Sequence, residues 1–344
     1  MNDTTNLKTG YFLFSLDTEL AWGYFDRFRS QMFSNDGRRE RFYIERLLDV
    51  FDEFNITATW AIVGFLFHEQ HGNNLYPNDW KGKYPLFENL YHNKHALLYG
   101  ADVIETLLSR GNRHEIAFHG YVHRILEEGK TSEEQAKAEI QTWLRAAQRK
   151  NIVPQTVIFP RNKIGHLKLF KEHGFICYRG EEPTPRIYSR PFLGKPFRRF
   201  YYYLATFSAL PLYEPEIDQT GLINLPSSRW LFGFNRKWDH ALDRLNLHTL
   251  RLRKIAQGIA RAALEKKIIH IWAHSHEFQT AKDIEKLRYL LCHVAKYIQA
   301  GSMKSISMAE LARQTLEEHH ALNSKNNDTK QGSYQNVFGS TTQV

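Results

Sequence analysis

Residues 11–19 have the sequence YFLFSLDTE, in which a short and almost continuous apolar run is followed by two acidic side chains. An apolar run of this length is typical of a strand that is buried on both faces. Runs of the same kind recur along the chain between stretches of helical periodicity. We predict seven buried strands, at residues 11–16, 56–63, 114–118, 156–160, 175–179, 222–226 and 268–273.

The stretches between these runs contain amphipathic helices. Residues 37–54 place four large apolar side chains at helical spacing, and residues 246–266 and 281–300 predict two helices around the last strand. Thr131 and Glu134 form a capping box that predicts the start of another helix. Alternating strands and helices indicate parallel strands with helices outside. Six or seven such units favour a distorted (β/α) barrel over an open sheet.

Length and composition are those of a globular chain. The 344 residues are 42% hydrophobic and 24% charged, which excludes a disordered, collagen-like or disulfide-stapled protein. The net charge of +9 suits an anionic partner, but the basic residues form no nucleic-acid-binding motif. Two cysteines, no apolar leader at the N-terminus and no run of ~20 apolar residues predict a cytoplasmic protein, with the inner face of the membrane as an alternative location.

Polar residues follow the first, third and last predicted strands, where a parallel barrel carries its chemistry. Asp17 and Glu19 are two residues apart, so they face the same side of an extended segment. His119 and His123 have an i, i+4 spacing that suits two imidazoles on one metal, either on a helical turn or in a tight loop. Each pair alone more often has a structural role. Together, two histidines and one carboxylate are typical of a catalytic zinc site with an open position.

Two further histidines, His274 and His276, follow the last strand, also two residues apart. One of them could reach the same cavity as a general acid. His270 precedes them on the same alternating face, so a packed core histidine is the alternative interpretation for one of the three.

These residues resemble the motifs of the polysaccharide deacetylase family, carbohydrate esterase family four, from about residue 11 to residue 313. The most specific match is HEIAFHGYVH, residues 114–123. The first motif here is Asp-x-Glu, similar to a divergent Asp-x-Asp branch that also includes intracellular amide hydrolases. The third, fourth and fifth motifs resemble FPRN (159–162), LPSSRWLF (225–232) and IWAHS (271–275).

The resemblance implies a metal-dependent hydrolase that removes N-acetyl groups from amino sugars. It implies Asp17 as the base and His274 as the acid, with Glu19, His119 and His123 as metal ligands. Nitrogen and oxygen ligands favour zinc, with cobalt, manganese or iron as alternatives. The resemblance also implies substrate contacts, which we assign to Trp22, Pro160, Trp230 and His276.

Two positions depart from the family pattern. Glu19 stands where the family usually has an aspartate. Arg161 follows the proline of the third motif instead of preceding it, and we include it among the catalytic residues. Its roles remain open: orienting Asp17, lending a backbone N–H to the oxyanion, or binding an anionic substrate group.

Three other segments have less specific patterns. Residues 190–215 combine basic and aromatic side chains, which predicts either a peripheral membrane contact or, as aromatic stripes are usually core, a packed lid. The loop at 67–100 carries aromatic residues that could stack on sugar rings, and four histidines without metal-specific spacing. Residues 1–317 are predicted to form a single catalytic domain, and 318–344 a disordered polar tail.

Three functions are therefore open at this stage. The first is deacetylation of an N-acetylated sugar in a surface glycan or its precursor. The second is hydrolysis of an amide or imide bond in a small nitrogen compound, as in the divergent branch. The third is a catalytically silent barrel that binds glycans.

Overall fold

The computed structural model describes residues 7–29, 32–69, 77–93, 95–182, 209–232, 248–321 and 324. The segment predicted to contact a membrane or form a lid, 190–215, lies outside the described residues except for 209–215, and so does most of the polar tail.

The described residues form one sheet of ten strands. Among the pairings between these strands, only one is antiparallel. The strands are β1 (Gly10–Thr18), β2 (Thr59–Ile62), β3 (Glu115–Phe118), β4 (Thr156–Val157), β5 (Cys177–Tyr178), β6 (Glu216–Ile217), β7 (Ile223–Asn224), β8 (Arg229–Trp230), β9 (Ile268–His274) and β10 (Met303–Ser305). The sheet order is β6-β7-β5-β4-β3-β2-β1-β9-β8, and β10 pairs with the beginning of β1.

A single stretch of chain joins the two outer parts of this sheet. Ile223 in β7 pairs with Cys177 of β5, and Trp230 in β8 pairs with Trp272 of β9. Residues 223–230 therefore occupy one strand position that touches both β5 and β9, and the sheet curls round on itself. With β7 and β8 counted together, and with β10 and β2 pairing in turn with the same side of β1, the parallel strands fill seven positions. The predicted distorted (β/α) barrel is confirmed.

Helices pack around the outside of the sheet. They are α1 (Arg38–Glu53), α2 (Pro85–Asn93), α3 (Ala101–Leu108), α4 (Glu133–Gln148), α5 (Leu167–Glu172), α6 (His248–Glu265), α7 (Ala281–Gln299) and α8 (308–321). The apolar stripe predicted in 37–54 faces the core, because Leu47, Leu48 and Phe51 are fully buried in α1. The last helix continues four residues past the predicted end of the domain. Among the described helices, none has the length and apolar character needed to cross a bilayer.

Two local predictions need correction. The capping box at the start of α4 is one residue later than predicted: Ser132 Oγ accepts from Gln135 N at 3.3 Å, and Gln135 Oε1 accepts from Ser132 N at 3.1 Å. The loop at 67–100 contains α2 and short 3₁₀ turns, and its Trp80 and Tyr91 are buried in the core. Those two rings are structural and unavailable for stacking on a sugar.

Candidate active site

The carboxyl ends of three parallel strands bring the predicted polar residues together. Asp17 lies near the end of β1, and its register partner on the neighbouring strand β9 is His274. His119 follows β3, which is separated from β1 only by β2. Glu19 and His123 lie in the loops that follow β1 and β3. Five of the side chains chosen from the sequence therefore share one edge of the barrel.

Glu19, His119 and His123 form the one group among the described residues with the spacing of a metal site. Their ligand atoms all lie within 4.8 Å of one another, and all three side chains are buried. Glu19 Oε2 is 2.8 Å from His123 Nε2 and 3.4 Å from His119 Nε2. Burial disfavours the charged carboxylate of Glu19, but His123 and His274 hold its pKa well below the usual value.

The donor atoms of this group fit a divalent ion. His119 Nδ1 is 2.8 Å from the carbonyl oxygen of Ile158, so Nδ1 carries the proton and Nε2 presents a lone pair. That buried Nε2 has no hydrogen-bond partner within the described part of the chain. Two imidazole nitrogens and one carboxylate match the three-ligand pattern of a catalytic zinc site, and the hydrogen bond to Ile158 fixes the orientation of the His119 ring.

A tight loop, and not a helical turn, brings the two histidines together. Gly120 has φ +75°, and a Cβ atom there would lie 3.1 Å from Pro160 Cγ and 3.2 Å from His123 Cα. His123 itself adopts φ +59°, a conformation that costs energy in a residue with a side chain. The left-handed backbone conformations of Gly120 and His123 bring the two imidazoles together, and the close packing of the loop maintains these conformations.

Glu139 of α4 supports this loop from below. Its Oε2 accepts hydrogen bonds from the backbone N–H groups of Tyr121 and Val122, at 2.7 and 3.2 Å. Its Oε1 is 3.3 Å from Arg124 Nε, and Arg124 also forms a two-point ion pair with Asp79. The buried carboxylate therefore fixes the backbone between the two histidines.

Asp17 is held by a buried arginine from the opposite part of the sheet. Arg179 Nη1 donates to Asp17 Oδ1 at 2.6 Å, and Nη2 donates to Oδ2 at 2.8 Å. Arg179 Nη2 also donates to Asn162 Oδ1 at 2.8 Å. Burial disfavours a charged carboxylate, but the guanidinium of Arg179 lowers the pKa of Asp17. Asp17 is therefore ionised at neutral pH, and its Oδ2 lies 3.9 Å from His119 Nε2.

Arg161 does not contact Asp17, which corrects one of its three predicted roles. Its guanidinium forms a two-point ion pair with Asp26, with Nη1 2.9 Å from Oδ2, and lies over the ring of Phe25. Arg161 and Asn162 have φ +56° and +54°. Consecutive left-handed residues turn the Asn162 side chain inward to Arg179, while the Arg161 side chain remains partly exposed.

His274 lies between two carboxylates. Its Nε2 is 3.8 Å from Glu19 Oε1, and its Nδ1 is 3.3 Å from Glu277 Oε2. The same Glu277 oxygen accepts from the backbone N–H of His274 at 2.9 Å and from Trp230 Nε1 at 3.0 Å. Burial opposes the charged imidazolium, but Glu277 and Glu19 raise the pKa of His274 to about 9. His274 is consequently a protonated imidazole at neutral pH.

The predicted substrate contacts have different outcomes. Trp22 is fully buried, its Nε1 donates to Leu98 O at 2.9 Å, and it packs against other core rings, so the prediction for this residue is wrong. Pro160 is buried against Gly120 and supports the histidine loop. His276 is buried with Nε2 3.0 Å from the Tyr24 hydroxyl. Trp230 is half-buried beside His274 and remains a predicted contact.

Sequence reasoning assigned no role to three residues that organise the site, although it noted Glu277 as a further carboxylate of uncertain direction. Arg179 is the last residue of the predicted strand 175–179, a position where a charged residue is a signal of function. Glu277 follows His274 by three residues, but its direction cannot be read from spacing. Glu139 lies on the inner face of α4 at a position of the apolar stripe, where a carboxylate is a departure from the helical pattern.

The molecule is thus a distorted (β/α) barrel with a buried histidine–carboxylate cluster at the carboxyl ends of its strands. Two solved structures share this fold. A protein from Mycobacterium smegmatis described as a polysaccharide deacetylase has 15% sequence identity and a TM-score of 0.55 over 93% of this chain and 96% of that chain. A second, from Pseudomonas aeruginosa PAO1 and described in the same way, has 14% identity and a TM-score of 0.51 over 90% and 91% of the two chains.

At this identity the similarity establishes the fold, and the architecture that the motifs imply is confirmed at that level. No protein-family model matches the sequence, and a comparison with curated proteins gave no significant match.

Proposed function

We propose that this chain is a metal-dependent N-deacetylase that acts on an amino sugar of a surface glycan or its precursor. One observation carries the proposal: an ionised Asp17 and a protonated His274 stand opposite each other on neighbouring strands, beside the Glu19, His119 and His123 cluster. A base, an acid and a set of metal ligands at one barrel edge are the components that amide hydrolysis requires.

Glu19, His119 and His123 would hold the ion, with zinc favoured by the ligand types and cobalt, manganese or iron as alternatives. When bound, a divalent ion polarises an amide carbonyl and lowers the pKa of a water molecule toward neutrality. The three side chains are buried and already converge, so this chain supplies most of the ligand geometry in advance.

Asp17 removes the proton of the attacking water. Its lowered pKa keeps the carboxylate ionised, and the two hydrogen bonds from Arg179 leave each oxygen one further acceptor position. Arg179 cannot lose its own proton in this role, because a guanidinium stays charged at all relevant pH values. It therefore fixes the direction of Asp17 without competing as a base.

His274 donates a proton to the departing amine. An amine leaves an acyl carbon poorly unless it is protonated, so amide hydrolysis needs an acid within reach of the leaving nitrogen. Glu277 Oε2 lies 3.3 Å from Nδ1, and Nε2 lies on the side of the cluster, 3.8 Å from Glu19 Oε1. We assign stabilisation of the oxyanion to a backbone N–H in the loop of Arg161, whose left-handed conformation reorients the local peptide groups.

The preference for a sugar rests on the aromatic wall beside His274, which Trp230 and Trp272 form. Trp230 is half-buried and stacks on Trp272 with ring centroids 5.7 Å apart. An exposed indole edge or face next to the acid suits the apolar face of a sugar ring.

Metal analysis followed by an acetate-release assay tests this function. We expect about one divalent metal ion per wild-type chain, loss of the ion in His119→Ala, and retention in Asp17→Asn with loss of acetate release. The assay should compare N-acetylated amino sugars and short glycans with small cyclic amides. Hydrolysis of the cyclic amides alone would replace the sugar assignment, and a wild type that binds no metal would leave a glycan-binding barrel.

A further inference from the structure

A chain of hydrogen-bonded polar groups extends below Asp17 into the interior of the barrel. Its members are Asp17, Arg179, Ser15 and His270, and each is at most 3% exposed. Polar side chains are rare in a barrel interior unless they are fully paired, because an unpaired buried donor or acceptor costs about 1–3 kcal/mol. A continuous chain of buried polar side chains is therefore unfavourable for stability unless every member is paired, which suggests that it serves the site above it.

The strand register explains how these residues come together. On β1, Ser15 and Asp17 are two residues apart and point into the barrel. On β9, His270 is the partner of Leu13, one layer below Ser15. Interior side chains of a parallel barrel stack in layers, and here the layer beneath Asp17 contains the Ser15 hydroxyl and the next layer contains the His270 imidazole.

The distances join the four groups in sequence. Arg179 Nη1 donates to Asp17 Oδ1 at 2.6 Å and to Ser15 Oγ at 3.1 Å. Ser15 Oγ is 2.9 Å from His270 Nε2. His270 Nδ1 is 3.3 Å from the carbonyl oxygen of Leu225.

The chemistry of the two ends fixes the direction of the two outer hydrogen bonds, and a neutral His270 fixes the direction of the bond between them. Arg179 can only donate, so Ser15 Oγ accepts from it. The carbonyl of Leu225 can only accept, so His270 Nδ1 carries a proton. A neutral imidazole then offers Nε2 as an acceptor, and the Ser15 hydroxyl donates to it. Burial and the nearby Arg179 lower the pKa of His270 to about 3, in agreement with a neutral ring.

We propose that Ser15 and His270 are positioning residues, which aim Arg179 at the base Asp17 through a neutral imidazole that carries its proton on Nδ1. The role rests on the proposed deacetylase function, whereas the proton arrangement does not depend on it. His270 draws the Ser15 proton away from Arg179, so a serine lone pair faces Nη1. This contact and the face of Trp272, 4.6 Å from the guanidinium carbon, hold Arg179 in one orientation.

The first experiment reads the proton directly. In protein labelled with ¹⁵N at histidine, long-range ¹H–¹⁵N spectra distinguish the two neutral tautomers and the charged ring, and the signals that disappear in His270→Gln identify this residue. We expect a neutral ring with the proton on Nδ1 at every pH between about 5 and 8, where an ordinary histidine titrates. A ring that titrates in this range, or that carries its proton on Nε2, overturns the proposal.

The second experiment measures the consequence for catalysis. Ser15→Ala and His270→Leu should lower kcat about 10-fold or more with KM and metal content nearly unchanged, since such supporting residues typically contribute 10–100-fold. His270→Gln places an amide oxygen near the position of Nε2 and should recover part of kcat. Matched controls are Thr315→Val and His114→Leu, which remove a buried hydroxyl and an imidazole far from the site.

The experiments distinguish failure of the positioning role from failure of the proposed deacetylase function. Wild-type kcat in His270→Leu, or an equal loss in the two controls at equal loss of Tm, overturns the positioning role. A wild type that retains metal but releases no acetate from any N-acetylated sugar contradicts the proposed function and the catalytic role together. The tautomer measurement still decides the proton arrangement in that case.

Discussion

Asp17 and His274 are register partners on the adjacent parallel strands β1 and β9. Parallel strands are about 4.8 Å apart, so these residues stand side by side at one barrel edge. Their charges are nevertheless set by different neighbours. Arg179 keeps Asp17 ionised, and Glu277 with Glu19 keeps His274 protonated. Two titratable groups whose pKa values are moved apart in this way have the character of a base and an acid.

The bidentate contact of Arg179 predicts that lysine cannot replace it. Arg179→Lys keeps the charge but loses the fork geometry that holds both oxygens of Asp17. We expect kcat to fall roughly 100-fold, a size typical of lost orientation, with the metal content unchanged. Arg110→Lys is the control, because Arg110 bridges Asp49 and Asp52 on the outside of the barrel. Equal kcat values in the two variants would contradict the assigned role.

The contacts of Glu139 predict a role in metal affinity. Glu139→Gln leaves one acceptor oxygen instead of two. That oxygen can still accept from the backbone N–H groups of the loop, but the ionic attraction to Arg124 is lost. We expect about 10–100-fold weaker zinc binding, measured by competition with a chromophoric chelator. The control Glu115→Gln removes a half-buried carboxylate that also accepts a backbone N–H, from Ala309, at the opposite end of the barrel. Similar losses in both variants would indicate general destabilisation.

The contact between Glu277 and His274 predicts a pH dependence of stability that can be measured in the metal-free protein. The pKa of His274 is raised to about 9, so its contribution to stability is complete below its unfolded pKa of about 6.5 and is lost as the pH rises through 9. Glu277→Gln removes the largest favourable charge, and we expect the pKa of His274 to fall. The loss of stability at alkaline pH then begins at lower pH. An NMR titration of His274 that gives the same pKa in both proteins would contradict this account.

The parts of the site that follow from local sequence were predictable. Asp17 and Glu19 share a face because they are two residues apart, and the motif around His119 and His123 predicts their convergence. Contacts between distant strands were not predictable. Arg179 reaches Asp17 across 162 residues, and only the closed order of the strands makes them neighbours.

Orientation was the other unpredictable property. Trp22 lies in the first motif, but adjacency to Glu19 in the chain does not reveal that its ring turns into the core. The sixth predicted strand, at 222–226, also differs from the pattern. Its apolar run predicts a strand that ends at residue 226, whereas residues 223–230 pair with β5 at their beginning and with β9 at their end.

The two tryptophans predicted to bind substrate should differ sharply on substitution. Trp22→Ala opens a cavity among buried aromatic rings and breaks the hydrogen bond to Leu98, and a cost of about 3–5 kcal/mol in unfolding free energy is expected. Trp230→Phe keeps most of the ring but removes the indole N–H that donates to Glu277. We expect it to change stability little and to lower kcat or raise KM, because both the acid and the sugar wall are affected. Denaturant unfolding and steady-state kinetics of both variants check this contrast. A stable Trp22→Ala protein with an altered KM would restore Trp22 as a substrate contact.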